Sequence, residues 1–394
     1  MPSNAPTSNH SLLQHPGFLR YWLTRVASSF AFQMVAVAVG WQIYDITHRA
    51  LDLGLIGLAQ FVPSLVLALP AGHLADRYDR RRIVIACLIL ECAAMTVLTL
   101  GSLLHRFEEP GILAMILIIG CAKAFEFPTM LALLPSLVPP AIFPRAVAAN
   151  SGAFLAATIM GPALGGFLYV AGAGVVYSIS ALLCLAAVVL MWRLRLERPP
   201  QRREPATFNT LFSGIGFIRQ RPVIFGAISL DLFAVLLGGA TALLPVFARD
   251  ILHTGPWGLG LLRAAPGVGA LAMSIWLTHH PLRRRVGHTM FYAVAGFGLA
   301  TIVFGLSTSF PLSLAALVAL GALDMPSMVI RGTLVQLETP DEMRGRVSAV
   351  NAIFINTSNQ LGEFESGITA QWFGTVPATV IGGIGTLIVV ALWM

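Results

Sequence analysis

The chain has 394 residues, of which 56% are hydrophobic and only 11% charged, with a mean hydropathy of +0.79. Soluble domains carry about 25% charged residues, so too few polar groups are present to clothe a water-soluble globule, and lipid is the implied solvent. The formal charge of +7 does not point to nucleic acid, because the positive residues sit in short clusters between apolar runs, as in cytoplasmic loops of membrane proteins.

Residues 1–20 are polar, and the first apolar stretch carries Arg25 and is too long for the core of a signal peptide. The first helix is therefore expected to act as its own uncleaved insertion signal. A bilayer core needs about 20 mostly apolar residues per helix. Twelve stretches qualify: 20–44, 53–74, 83–104, 111–135, 149–170, 173–193, 222–248, 257–279, 288–308, 310–334, 347–372 and 375–394. Pro63, Pro128, Pro162, Pro266 and Pro326 fall inside them, which bundled membrane helices tolerate. Nothing alternates with the period of a membrane β-barrel.

Cys87, Cys92, Cys121 and Cys184 lie within apolar spans and show neither zinc-ligand spacing nor a disulfide framework. His279, His280 and His288 flank a basic loop with no carboxylate nearby. No metal and no cofactor are expected. With the N-terminus inside, eighteen arginines fall in inner segments and three, Arg49, Arg106 and Arg249, in outer loops. That asymmetry predicts both termini in the cytoplasm. Of the aromatics near the predicted interfaces, such as Trp41, Tyr44, Trp257 and Trp372, most are expected to be belt residues rather than ligand stackers.

Three segments recur about 200 residues apart. Glu126-Phe-Pro128-Thr-Met130 resembles Asp324-Met-Pro326-Ser-Met328, Arg145-Ala-Val-Ala-Ala-Asn150 resembles Arg346-Val-Ser-Ala-Val-Asn351, and Arg80-Arg81-Arg82 is echoed by Arg283-Arg284-Arg285. Each pair falls at matching places in a six-helix unit, so both copies insert the same way up. The expected organisation is a six-helix bundle over 1–193, a basic linker over 194–221 and a second six-helix bundle over 222–394. Phe208, Leu211, Phe212 and Ile215 in the linker have the spacing of an amphipathic helix, expected to lie in the inner interface.

Between spans 2 and 3 stands Gly72-His-Leu-Ala-Asp76-Arg77-Tyr-Asp79-Arg80-Arg81-Arg82. It resembles the G-x-x-x-D-R-x-G-R-R loop of the major facilitator superfamily, with Asp79 where that pattern has glycine. In span 5, Gly161-Pro162-Ala-Leu-Gly165-Gly166 is similar to the G-P-x-x-G-G core found in antiporters and exporters. General helix packing is the alternative reading of those small residues. Trp41-Gln-Ile-Tyr44-Asp-Ile-Thr47, Leu334-Val-Gln-Leu-Glu-Thr-Pro340-Asp-Glu-Met-Arg344-Gly-Arg346-Val and Ser358-Asn-Gln360-Leu-Gly-Glu363-Phe-Glu365-Ser-Gly367 narrow the resemblance to the enterobactin-exporter-like branch, which shades into drug-efflux relatives.

The resemblance implies an all-α integral membrane protein of the major facilitator fold. Gly72, Asp76, Arg77, Arg80 and Arg81 would form the inner gate, with Asp76 pairing with the other half in one state and releasing it in the other. Helices 1, 4, 7 and 10 would line the cavity, and ionisable groups inside spans are functional candidates. Glu126, Asp231 and Asp324 are thus favoured, together with Arg25, Lys123 and Arg331, while Glu91 on span 3 is less favoured, with structural packing as its alternative. Glu126 and Lys123 lie three apart and share a helix face. Asp324 and Arg331 share a face two turns apart, and Arg25 could meet any of these carboxylates across the cavity. Structural ion pairing is the alternative role for each carboxylate. Glu363 and Glu365 point to different faces, so at most one sees the cavity.

No phosphate-binding loop, His-Glu-x-x-His or Gly-x-Ser-x-Gly motif occurs, so neither ATP-driven pumping nor an enzyme is expected. The expected function is export of a small organic molecule, a catecholate siderophore by resemblance, in exchange for protons. Drug efflux and a non-transporting sensor or assembly subunit are the alternatives. A monomer in the bacterial inner membrane is expected, with the bilayer, protons and the substrate as its partners.

Overall fold

The apolar runs fold into helices that begin on prolines and break where prolines and glycines dictate. A computed structural model describes residues 12–104, 107–195, 208–280 and 286–394, and its regular structure is entirely helical among the described residues. The first pass, α1 (Pro16–Thr47), starts on a proline that has no N–H to leave unsatisfied. The second pass, expected as one helix, is two: α2 (Ala50–Val66) and α3 (Ala68–Arg77). Pro70 cannot donate to the carbonyl of Val66, so the ladder breaks there. Then follow α4 (Arg80–Leu103), α5 (Glu109–Leu133), α6 (Phe143–Tyr169) and α7 (Ala173–Trp192).

The linker contains α8 (Phe208–Gln220), and residues 196–207 lie outside the described set. Its Phe217 and Ile218 pack with Met343, Val347 and Val350 near the start of the eleventh pass, so α8 lies against the second half. Among the residues that motivated the amphipathic reading, the side chains of Phe208, Leu211 and Phe212 are outside the described set, and Ile215 is exposed. The seventh pass is also broken. After α9 (Pro222–Leu237) come Gly238 and Gly239, a 3-10 turn, α10 (Leu244–Val246) and a π turn over Phe247–Ile251. The chain continues as α11 (Pro256–His279), α12 (Val286–Leu306), α13 (Phe310–Leu337), α14 (Asp341–Phe373) and α15 (Thr375–Trp393).

Ten of these passes are long and apolar enough to cross a membrane unaided. The α2–α3 pass and the more polar α14 complete twelve. Large exposed apolar side chains such as Leu100, Leu182, Trp192, Leu299 and Ile388 form a surface suited to lipid. The sequence repeat has backbone counterparts. Gly172 (φ 108) joins α6 to α7 and Gly374 (φ 90) joins α14 to α15, conformations open to glycine. His48 and His253, both with positive φ, follow the first and seventh passes.

Within the first half α1 packs on α6 and α7, and α4 on α5 and α7. Within the second half α11 packs on α13, α12 on α13 and α15, and α14 on α9. The halves meet mainly along α6–α11 and α2–α14. We call the end where α1 begins proximal and the opposite end distal. An apolar cluster at the distal end, joining Val37 of α1 to Leu243, Leu244, Phe247, Leu259 and Leu262, spans both halves.

Candidate transport site

Glu126 and Lys123 share one face of α5, as their spacing requires, and form an ion pair. The helices packed on that face bring two further groups. Glu91 of α4 places Oε2 3.0 Å from Lys123 Nζ. Ser28 of α1 accepts from Lys123 Nζ at 2.7 Å and donates to Glu126 Oε1 at 2.7 Å. Glu91 and Glu126 are 0% and 1% exposed. α4 thus turns Glu91, the less favoured carboxylate, toward Lys123 and the central Glu126. Glu91 Oε1 is buried without a hydrogen-bond partner. With all three groups ionised, two carboxylates face one ammonium, leaving one negative charge in excess.

Arg25 lies one turn before Ser28 on α1. It meets no carboxylate among the described residues: its guanidinium carbon stands 5.0 Å from the Phe127 ring centroid and 5.7 Å from that of Phe154. In the second half, Arg331 forms a buried ion pair with Asp231 of α9. It does not meet Asp324 on its own helix, since two turns span about 11 Å whereas α9 packs alongside. Asp324 is partly buried and makes no hydrogen bond or ion pair among the described residues.

Arg263 and Glu363 gain importance that spacing does not reveal. Arg263 Nη1 donates to the Ala36 carbonyl of α1 at 3.2 Å, beside Gly40, where a Cβ would stand 3.7 Å from that nitrogen. The only signal in the sequence is an arginine within an apolar span. Glu363 packs on Gly57 of α2, where a Cβ would meet its own Cβ at 2.8 Å. Glu365 instead accepts from Thr369 Oγ1 at 2.7 Å.

The loop motif ends α3 and begins α4. Gly72 and Arg77 lie on α3, and the side chain of Asp76 lies outside the described set. Asp79 needs no glycine-like conformation: at φ −62 it is the N-cap of α4 and accepts from Arg81 N at 2.9 Å. Arg80 Nη1 donates to the Ala132 carbonyl at 3.0 Å, and Arg81 donates to the carbonyls of Met191, at 3.0 Å, and Trp192. Both arginines thus sit on the carbonyl-rich ends of α5 and α7, where cations are favoured.

The small residues of α6 serve two neighbours. A Cβ on Gly161 would meet Gln33 at 2.6 Å, and one on Gly165 would meet Met34 Cα at 2.9 Å, both on α1. A Cβ on Gly166 would meet the Pro256 carbonyl at 2.5 Å, and one on Gly260 would meet that of Pro162 at 2.6 Å. Backbones of the two halves thus touch directly. Gly54 and Gly367 do the same for α2 and α14, with a Cβ on Gly367 falling 2.7 Å from Gly54 Cα. Tyr44 of α1 is 6% exposed and donates to Asp250, and Arg249 pairs with Asp45. Tyr44 is therefore an inter-half link at the distal end rather than a belt residue.

Residues 7–394 match the model of a family described as transmembrane secretion effector, of the major facilitator kind. The chain belongs to this family. It is 29% identical to the enterobactin exporter of Citrobacter koseri, covering 98% of this chain and 93% of that protein. It is 28% identical to the enterobactin exporter of Escherichia coli O1:K1, covering 97% and 92%. Among solved structures, a bacterial homologue of the human lysosomal transporter Spinster has a TM-score of 0.77 at 14% identity, over 96% of this chain and 95% of that one. A bacterial homologue of the iron transporter ferroportin has 0.74 at 14% identity, over 98% and 99%. The protein is thus a multi-pass membrane transporter of small molecules, with the major facilitator fold of two six-helix bundles, and not an enzyme.

Proposed function

We propose that this transporter exports a small organic molecule of the catecholate siderophore kind across the bacterial inner membrane in exchange for protons. The observation that carries the proton step is the buried trio Glu91–Lys123–Glu126 with its one negative charge in excess. A proton taken up by the trio cancels that charge and lets Lys123 settle on the carboxylate that stays ionised. Loss of the proton restores the competition of both carboxylates for one ammonium. That change alters how α4, α5 and α1 are tied together, through Glu91, Lys123 and Ser28 respectively.

The arginine asymmetry supports cytoplasmic termini, so the distal end is the outer face. The links named above close that face, leaving the cytoplasmic side as the one from which an exporter loads. The halves, 1–193 and 222–394, rock about a midplane site, with the loop motif at Gly72, Asp76, Arg77, Arg80 and Arg81 as inner gate. Similarity to enterobactin exporters over nearly the whole chain supports outward movement of a siderophore.

The test is transport in proteoliposomes under an imposed pH gradient, with a catecholate siderophore and a lipophilic cation as probes. Gradient-driven siderophore movement is expected in the wild type, lost in Glu91→Gln and Glu126→Gln, and retained in Asp324→Asn. Movement indifferent to the gradient and to both glutamate variants removes proton exchange. Preference for the lipophilic cation turns the assignment to drug efflux.

A further inference from the structure

Among the described residues, the cations within the spans considered have polar partners with one exception. Lys123 meets two carboxylates, Arg331 meets Asp231, and Arg263 meets a main-chain carbonyl. Arg25 is only 6% exposed and has no hydrogen bond or ion pair among the described residues, and its Nε is sealed without a partner. Leaving a desolvated guanidinium bare is costly. What lines it are two phenyl rings, at 5.0 Å and 5.7 Å, each about half exposed: Phe127 at 45% and Phe154 at 48%.

Helix geometry says where the open side of this group faces. On α6, Ala153, Ala157 and Gly161 are buried on the side of α1, while Ile159, Pro162 and Gly166 meet α11 of the other half. At 100° per residue, Phe154 lies at the edge of the α1 face, and the exposed Val147, Ser151 and Ala148 continue from it to the face that meets α11. Its bare ring surface therefore opens on the cleft between the halves rather than on lipid.

We propose that Arg25, Phe127 and Phe154 form a recognition subsite for a planar aromatic ring that carries an anionic oxygen, as a carboxylate or phenolate. The guanidinium fork supplies N–H donors in the plane an oxygen anion needs. The phenyl rings offer edges and faces on which a second ring stacks. Low local dielectric strengthens both contacts. A simple cation is repelled by Arg25, and an aliphatic anion gains nothing from the rings. The subsite deepens the export reading by naming a substrate class and rests on it only for the direction of travel.

The experiment is equilibrium binding to the full chain in lipid nanodiscs, without any gradient, read by calorimetry and by the fluorescence of Trp22, one turn from Arg25. The probes are 2,3-dihydroxybenzoate, cyclohexanecarboxylate (charge without aromatic ring) and benzamide (ring without charge). The wild type is expected to bind 2,3-dihydroxybenzoate about tenfold tighter than either other probe. Arg25→Gln loses about tenfold for both anions. Phe127→Leu and Phe154→Leu each lose about threefold for the aromatic acid alone. Arg25→Lys falls between wild type and Arg25→Gln.

Equal binding of the three probes, or wild-type binding by Arg25→Gln, overturns the subsite. So does a loss in Arg25→Gln with no change in either phenylalanine variant, since that describes a bare cation. Should Arg25→Gln fail to fold, the two phenylalanine variants decide on their own. Selective binding without gradient-driven transport leaves the subsite and removes proton-driven export, and gradient-driven transport with unselective binding does the reverse.

Discussion

In the second half of the molecule Arg331 on α13 meets one carboxylate, Asp231 on α9, and the two charges cancel. In the first half Lys123 on α5 meets two, Glu91 on α4 and Glu126 on its own helix, with Ser28 of α1 bridging. The sequence repeat relates Glu126 to Asp324, yet these equivalents live differently, one locked in a network and the other without a hydrogen bond or ion pair among the described residues. A matched pair holds two helices in register and has no reason to change its proton content. In the proposed exchange, a mismatched trio would couple the position of three helices to whether a proton is present. Repetition of a fold thus leaves its two copies free to divide labour.

The largest expected effect comes from Lys123→Met, which strands two buried carboxylates side by side. Removing one partner of a buried pair costs about 3–5 kcal/mol, and the fall in thermal unfolding midpoint in detergent should exceed that of Arg331→Met, which strands one. An equal fall in both would erase the contrast between the halves.

Compensation sharpens it next. Replacing a whole buried pair by neutral groups is near neutral or stabilising by up to about 4 kcal/mol, so Asp231→Asn should recover most of the loss in Arg331→Met. Glu126→Gln should not recover Lys123→Met, because Glu91 remains, and adding Glu91→Gln should. Full recovery by Glu126→Gln alone, in the same unfolding assay, would put Glu91 outside the charge unit.

A smaller effect is expected at the seam between halves. A side chain at Gly166 overpacks against Pro256 and Gly260, at about 1–3 kcal/mol. Gly166→Val should lengthen spin-label distances between the distal ends of α6 and α11. Unchanged distances would mean that the seam yields locally without parting. Smallest is the cap of the helix that carries Glu91. Asp79→Ala should cost about 1 kcal/mol, and Asp79→Gly only a few tenths, by thermal unfolding. Equal losses in the two variants would point to a role for Asp79 other than capping.

Hydropathy alone made the passes legible, since about 20 apolar residues in a row leave little choice of structure. The breaks at Leu67 and at Gly238–Gly239 were less so, because proline in a membrane helix bends or breaks it according to its neighbours. Spacing revealed the Lys123–Glu126 contact, which is local to one helix. It could not reveal Glu91 beside Lys123, or Asp231 beside Arg331, because those contacts depend on the rotation of one helix about its axis against another. Tyr44 was misplaced for a related reason: an aromatic near a helix end fits a lipid headgroup and an inter-half contact equally well, and only the position of Asp250 decides.

Ten passes have the length and hydropathy to enter a bilayer on their own account, and the two that fall short are α2, with 17 residues, and the polar α14. They lie against each other, backbone on backbone at Gly54 and Gly367. One is made well before the other. The early helix is left with an unfilled groove, and the late one reaches the membrane with carboxylates it cannot place in lipid until that groove receives it. Biogenesis of the protein therefore hinges on a late meeting of two reluctant segments. A lesion at Gly367 should first be noticed as chain that fails to accumulate in the membrane, before any substrate is offered to it.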